Sequence, residues 1–185
     1  MIWWTSDLHL GHNAIIKMQN RPFENVEEMN ETLITNFNAR VGKNDKVYFL
    51  GDMTHHMTEE EARKIIGRLN GKKHLIVGNH DKIVVAGGVF ESVEMMQVVS
   101  DFNKIFWLCH YPLMCWHHMR GGTLMLHGHM HNSPEYNLKN KQDRILRYDV
   151  GVDANNYFPI NTKEILNFFG EEVLNNPNYN DDTHI

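Results

Sequence analysis

Asp7 and His9, Asp52, Asn79 and His80, His110, and His129 and His131 share one setting in the sequence. Each follows a short apolar run that reads as a strand: Ile2–Thr5, Lys46–Leu50, Lys73–Val77, Lys104–Leu108 and Thr123–Leu126. Loops beyond the carboxyl ends of strands are where open α/β sheets bind ligands. One such cluster reads equally well as a turn, since Asn, Asp and Gly are ordinary turn formers. Their recurrence at the same place relative to a strand points to a shared centre. Asp7 and His9 alternate with Leu8, so in extended chain both point to one side. The donors are carboxylates, an amide and imidazoles, with no cysteine among them, a set that suits manganese, iron or zinc. Excluding His80 they are too many for one tetrahedral ion. They suit two cations about 3.5–4 Å apart sharing a carboxylate, an arrangement that hydrolyses phosphate esters.

The elements that must position these residues follow from periodicity. Asn25 with Glu28 forms a capping box, and Met29, Leu33, Ile34, Phe37 and Val41 make a helical core stripe, with Gly42 as the stop. Thr58 with Glu61 opens a second helix, lined by Ala62, Ile65, Ile66 and Leu69 and closed by Gly71. Ala14–Met18 suggests a short helix broken at Arg21-Pro22-Phe23. Strand, helix, strand, helix, strand argues a parallel sheet. Beyond residue 82 the pattern changes. Val93–Val99 and Lys104–Leu108 read as a hairpin, a strand pair is expected across Arg144–Val152, and Asn161 with Glu164 caps a last short helix through Phe169. Residues 1–174 are expected to form a single domain, and 175–185 a flexible C-terminal tail.

Composition narrows the function. A chain of 185 residues can bury a substantial core. No run approaches the roughly 18 apolar residues of a membrane span, and no basic region precedes an apolar segment at the N-terminus. Two cysteines, Cys109 and Cys115, make no disulfide framework. A reduced, cytoplasmic setting is expected. The formal charge of −5 argues against stable nucleic-acid binding. Histidine is the unusual count, at 13, and these residues gather at turns.

In this order, Asp7-Leu8-His9, Gly51-Asp52, Gly78-Asn79-His80-Asp81, His110 and Gly128-His129-Met130-His131 resemble the five motifs of the calcineurin-like metallophosphoesterase superfamily. Arg21-Pro22-Phe23, Tyr48–Asp52 and Val150-Gly151-Val152-Asp153 are similar to its small bacterial and phage members. The resemblance implies a four-layer α/β/β/α sandwich with two mixed sheets and a dinuclear centre. Asp7, His9, Asp52 and His131 would hold one cation, and Asp52, Asn79, His110 and His129 the other. Manganese is the favoured metal, with iron, zinc or nickel open. His80 would bind no metal and would protonate the leaving oxygen as general acid. The implied reaction is in-line attack by hydroxide, with no covalent enzyme intermediate. The substrate is expected to be a small or nucleotide-like phosphodiester. A phosphomonoesterase, a nuclease or a non-catalytic scaffold are the alternatives.

The chain departs from the protein-phosphatase branch at His55, where that branch has a carboxylate partnering the general acid. That leaves Asp81 as a partner for His80 by adjacency only. His12 is a candidate for substrate phosphate, and His127 for orienting a ligand. His55 and His56 read as solvent-exposed loop residues. Arg21 either reaches the site or makes a helix-entry salt bridge. In the loop of Trp116, His117, His118 and Arg120, the arginine can face a phosphate and the indole can stack on a base, or the loop can simply pack.

Overall fold

The computed structural model describes residues 1–81 and 89–177. Strands β1 (Ile2–Thr5), β2 (Lys46–Phe49), β3 (Lys72–Ile76) and β4 (Ser92–Glu94) run parallel in the order β4-β3-β2-β1, and β9 (Ile160–Asn161) joins antiparallel beside β1. A second sheet has the order β5-β6-β7-β8, from β5 (Met96–Asp101), β6 (Lys104–Cys109), β7 (Leu124–His127) and β8 (Arg147–Asp149). Here β6, β7 and β8 are parallel and β5 is antiparallel. Both sheets are therefore mixed, as the four-layer expectation requires.

Strand periodicity explains the layering. Successive side chains point to opposite faces, and both faces of the first sheet are buried. Trp3, Val47, Phe49 and Leu75 turn to the helices α1 (Asn13–Met18), α2 (Val26–Arg40) and α3 (Glu59–Ile66). Trp4, Tyr48, Leu50 and Ile76 turn inward against Phe106, Leu108, Leu124, Leu126 and Tyr148 of the second sheet. Trp4 is fully buried, stacks on Tyr48 at 5.2 Å and packs Phe106 at 5.4 Å. On the outer face of the second sheet, Trp116 packs with Cys109 and Met125. Helix α4 (Pro134–Gln142) lies on β8, and α5 (Thr162–Asn175) contacts β9 and β1.

The helix caps follow the sequence with differences. Thr58–Glu61 and Asn161–Glu164 are complete capping boxes. At α2 only half of the box forms. Asn25 accepts from the Glu28 N–H, but the Glu28 carboxylate accepts from Glu24 N–H instead. Helix α3 ends at Ile66, so Gly71, with φ +88, turns the chain into β3 rather than closing the helix. The Val93–Val99 run is two strands. The chain leaves the first sheet after Glu94 and enters the second at Met96. The hairpin at Phe102-Asn103 is present, both residues having positive φ, as a two-residue turn of the I′ kind requires. Across Arg144–Val152 only β8 forms, and it pairs with β7 instead of folding on itself. Helix α5 runs past Phe169 to Asn175, with a break at Gly170. Residues 178–185 of the expected tail lie outside the described residues. Among the described residues, no helix is long and apolar enough to cross a membrane.

Candidate metal centre

The strand ends of both sheets meet at one edge of the sandwich. Their loops are zipped together by backbone hydrogen bonds. Asp7 N–H donates to Gly51 O, His9 N–H to Asp52 O and Leu10 N–H to Met53 O, each at 3.0 Å. Gly51 and Gly78 are where these loops touch. A Cβ built on Gly51 would lie 2.7 Å from Gly78 Cα and collide with the His110 ring, and one on Gly78 would strike the Asp52 carboxylate. Only glycine permits that approach.

Two groups of side chains result. Asp7, His9 and His131 bring potential ligand atoms within 4.8 Å of one another, as do Asp52, His110 and His129. Asp52 Oδ2 lies between the groups, 3.5 Å from His9 Nε2 and 3.6 Å from His110 Nε2. Asn79 Oδ1 is 3.0 Å from His110 Nε2. Asp7, His9, Asp52, His129 and His131 all have φ between +49 and +70. This left-handed region is uncommon for non-glycine residues, and Asp and His enter it more readily than most.

The donor chemistry fits divalent cations. Both ring nitrogens of His9 are buried without a hydrogen-bond partner, an arrangement that is costly unless something coordinates them. Burial, then His131, Arg21, His12 and His80, drive His9 down to about 2, so it is a neutral imidazole with a free lone pair. Burial and the neighbouring carboxylates of Asp149 and Asp52 push Asp7 well above the usual range, although it accepts from Ser6 and His129 N–H. A cation between these carboxylates would relieve that repulsion.

Behind the ligands is a brace that the sequence did not make legible. Arg21 donates to both oxygens of Asp153 at 2.8 Å, and to the carbonyls of Asp7 at 2.7 Å and Leu8 at 3.1 Å. Of the two expectations for Arg21 the salt bridge is the one present, but its partner is Asp153 and it holds the first motif from behind. Asp153 is also 2.8 Å from His131 Nδ1, which leaves Nε2 for the centre. Burial pushes Asp153 up, but His131 and Arg21 outweigh it and hold the carboxyl below its ordinary value. Lysine offers no planar fork for these four acceptors. Arg21→Lys is expected to cost about 2–4 kcal/mol in urea unfolding, because the half-buried Asp153 loses its bidentate partner; an unchanged midpoint would refute the brace.

Asp81 is buried and does not partner His80. Its Oδ2 accepts from Asp52 N–H and Gly78 N–H at 2.8 Å, and its Oδ1 accepts from Met53 N–H at 2.9 Å. His80 is exposed, and its backbone N–H donates to Asp52 Oδ1 at 2.9 Å. Its ring lies 5.5 Å from His9 and 4.5 Å from His55. His55 is thus half-buried against His80 and His12, not the exposed loop residue expected, whereas His56 is exposed. His12 is buried beside His9. His127 sits behind the loop, its Nδ1 2.9 Å from Gly128 O and its Nε2 3.2 Å from the Tyr136 hydroxyl. Arg120 lies exposed in the 3-10 turn Met119–Gly121. Trp116 is buried and donates to Thr123, so its indole is core and offers no face for a base.

Two mixed sheets between helical layers, with carboxylates and imidazoles gathered at the strand ends, define a protein of the metallophosphoesterase type. The chain belongs to the calcineurin-like phosphoesterase family, whose model matches residues 1–183. Membership carries metal-dependent phosphoester hydrolysis with it. The chain is 37% identical over 168 residues to the protein MJ1445 of Methanocaldococcus jannaschii, covering 89% of each. It is 30% identical to the Gene 66 protein of Mycobacterium phage L5, covering 82% of this chain and 86% of that one. The crystal structure of AQ665 from Aquifex aeolicus superposes with a TM-score of 0.72 at 27% identity, covering 89% of this chain and 97% of that one.

Proposed function

We propose that the protein is a dinuclear phosphodiesterase acting on small or nucleotide-like substrates. One observation carries the reading. Two three-residue groups of ligand type lie side by side, and Asp52 Oδ2 faces a histidine of each at 3.5 and 3.6 Å. Asp7, His9 and His131 would hold one divalent cation, and Asn79, His110 and His129 the other, with Asp52 shared. Manganese is the favoured ion. Cations bound there would supply positive charge to the phosphoryl oxygens and make a water acidic enough to attack near neutral pH.

The chain's own residues supply the rest. Asp52 accepts from the His80 backbone N–H and so fixes the position from which that imidazole meets substrate. His80 is exposed and carries no share of either group, so its ring is free to meet the departing oxygen as the general acid. Asn79 adds no negative charge beside an incoming phosphate. The −5 formal charge supports a small substrate over a polyanion.

The test compares bis-p-nitrophenyl phosphate, p-nitrophenyl phosphate, cyclic nucleotides and single-stranded DNA, with each metal restored to stripped protein. The diester and cyclic nucleotides are expected to be hydrolysed best. His80→Ala is expected to lower kcat about 10²–10⁴-fold while leaving metal content intact. The reading fails if metal-loaded protein hydrolyses none of these substrates and His80→Ala behaves identically.

A further inference from the structure

His12, His55 and His56 form a third cluster beside the two already described. Their candidate ligand nitrogens lie within 4.8 Å of one another. The rings of His12 and His55 are 4.1 Å apart, and those of His55 and His56 are 4.0 Å apart. His12 precedes α1 but makes no side-chain capping bond. Its Nδ1 and that of His55 are buried atoms without a hydrogen-bond partner. His12 is 9% exposed, so its ring is held in place while one nitrogen goes unused. Buried polar atoms in folded proteins seldom lack a partner.

The backbone builds this cluster deliberately. The loop after β1 and the loop after β2 pair at Leu10 and Thr54. His55 N–H donates to Leu10 O at 3.0 Å. Gly11, with φ +86, lies so close to the second loop that a Cβ there would meet Met57 Cε at 2.5 Å and His55 O at 3.0 Å. Gly11 N–H is anchored on Asn30 Oδ1 at 3.0 Å. His12 is therefore delivered against His55 by hydrogen-bonded, close-packed backbone.

We infer that His12, His55 and His56 form a third divalent-cation site, of the imidazole-preferring kind that takes zinc, next to the proposed dinuclear centre. A three-histidine set with one open position is a known zinc geometry, with Zn–N near 2.0–2.1 Å. Tetrahedral angles at that distance separate nitrogens by about 3.3 Å, so modest ring rotations close the set. Neutral imidazole is the required ligand form. Burial, then His55 and His56, hold His12 down to about 4, and burial with His56 and His80 lowers His55 as well. The same crowding disfavours a cluster of imidazolium ions waiting for an anion. The site does not depend on the dinuclear reading, since it shares none of those residues.

The experiment strips the full chain with a chelator, reloads it with zinc alone, removes the excess and measures metal per chain by mass spectrometry. His55→Ala/His56→Ala is expected to retain one ion fewer than wild type. His56→Ala alone, an exposed position, is expected to weaken retention of that ion without altering the circular dichroism. Cobalt-loaded wild type is expected to show a stronger tetrahedral visible absorption than the double variant, the difference being the share of one ion. Equal zinc content and equal cobalt spectra in wild type and double variant would overturn the site. Asp52→Asn separates the two readings. If it lowers the count while the histidine pair does not, the dinuclear centre stands and the third site falls. If the histidine pair lowers the count and Asp52→Asn does not, the reverse holds.

Discussion

Asp81→Ala is expected to destabilise the protein by about 3–5 kcal/mol, the range of the largest single-residue effects. The carboxylate accepts three backbone N–H groups, from Asp52, Met53 and Gly78. It therefore ties the loop after β2 to the loop after β3 at the point where both carry centre residues. Alanine leaves three donors in a buried position, and each unpaired donor costs about 1–3 kcal/mol. Local rearrangement and entering water hold the total below the upper sum. Asp81→Asn keeps one acceptor oxygen but turns an NH₂ toward a backbone N–H, so an intermediate loss is expected. Urea unfolding of the three proteins gives the ranking directly. A loss below about 1 kcal/mol for the alanine variant would mean that the loops hold their shape without it. Burial pushes Asp81 above its usual value while the three N–H groups pull it down. These bonds thus compensate a carboxylate that would otherwise resist being there.

Asp52→Asn is expected to abolish most activity while leaving the metal-free fold as stable as wild type, or more so. Asp52 is buried, and Asp52 Oδ2 faces His9 and His110. The amide cannot offer two anionic lone pairs across both groups. Several kcal/mol of charge stabilisation depend on cations held in place, and about 4 kcal/mol is a thousandfold in rate. A drop in kcat/KM of about 10³-fold or more is expected. Asn can still accept from the His80 N–H through its remaining oxygen. Its neutrality also removes one of the charges that raise Asp7. Activity and apo stability should therefore move in opposite directions, the trade-off expected where a site is strained for function. Steady-state kinetics with thermal melts of chelated protein check both. Activity within tenfold of wild type would end the claim that Asp52 is shared.

Much of this centre was legible because its chemistry is local. Each donor follows its strand within a few residues, so the same pattern that reveals the strand reveals the residue. Asp153 was visible only as part of a motif resemblance. Its work depends on meeting Arg21 and His131, and no spacing along the chain encodes that meeting. His55 was misread for the same reason: its environment is made by Gly11 and His12, from another loop. Helix α4 was invisible to periodicity because it buries Asn137 and Asn140 in place of an apolar stripe. Asn137 clamps β8, donating to Asp149 O at 3.0 Å and accepting from Asp149 N–H at 2.8 Å. The run from Val93 to Val99 looked continuous because alternation identifies faces and not sheets. Glu94 and Met96 belong to different ones, and only pairing with β3 or β6 tells them apart.

Each of the two ligand groups is drawn from both sheets. Asp7 and His9 leave β1 and meet His131, which follows β7; Asp52 leaves β2 and meets His110 and His129, which follow β6 and β7. The spacing of these candidate ligands therefore depends on the layer between the sheets, where Trp4 rests on Phe106 several residues away from any donor. The edge of the sandwich works as a caliper whose jaws are the two sheets. A cation held there would clamp the jaws, and a side chain lost from the layer between them would change their opening. Metal affinity at this edge would then be a gauge of how well the interior is packed.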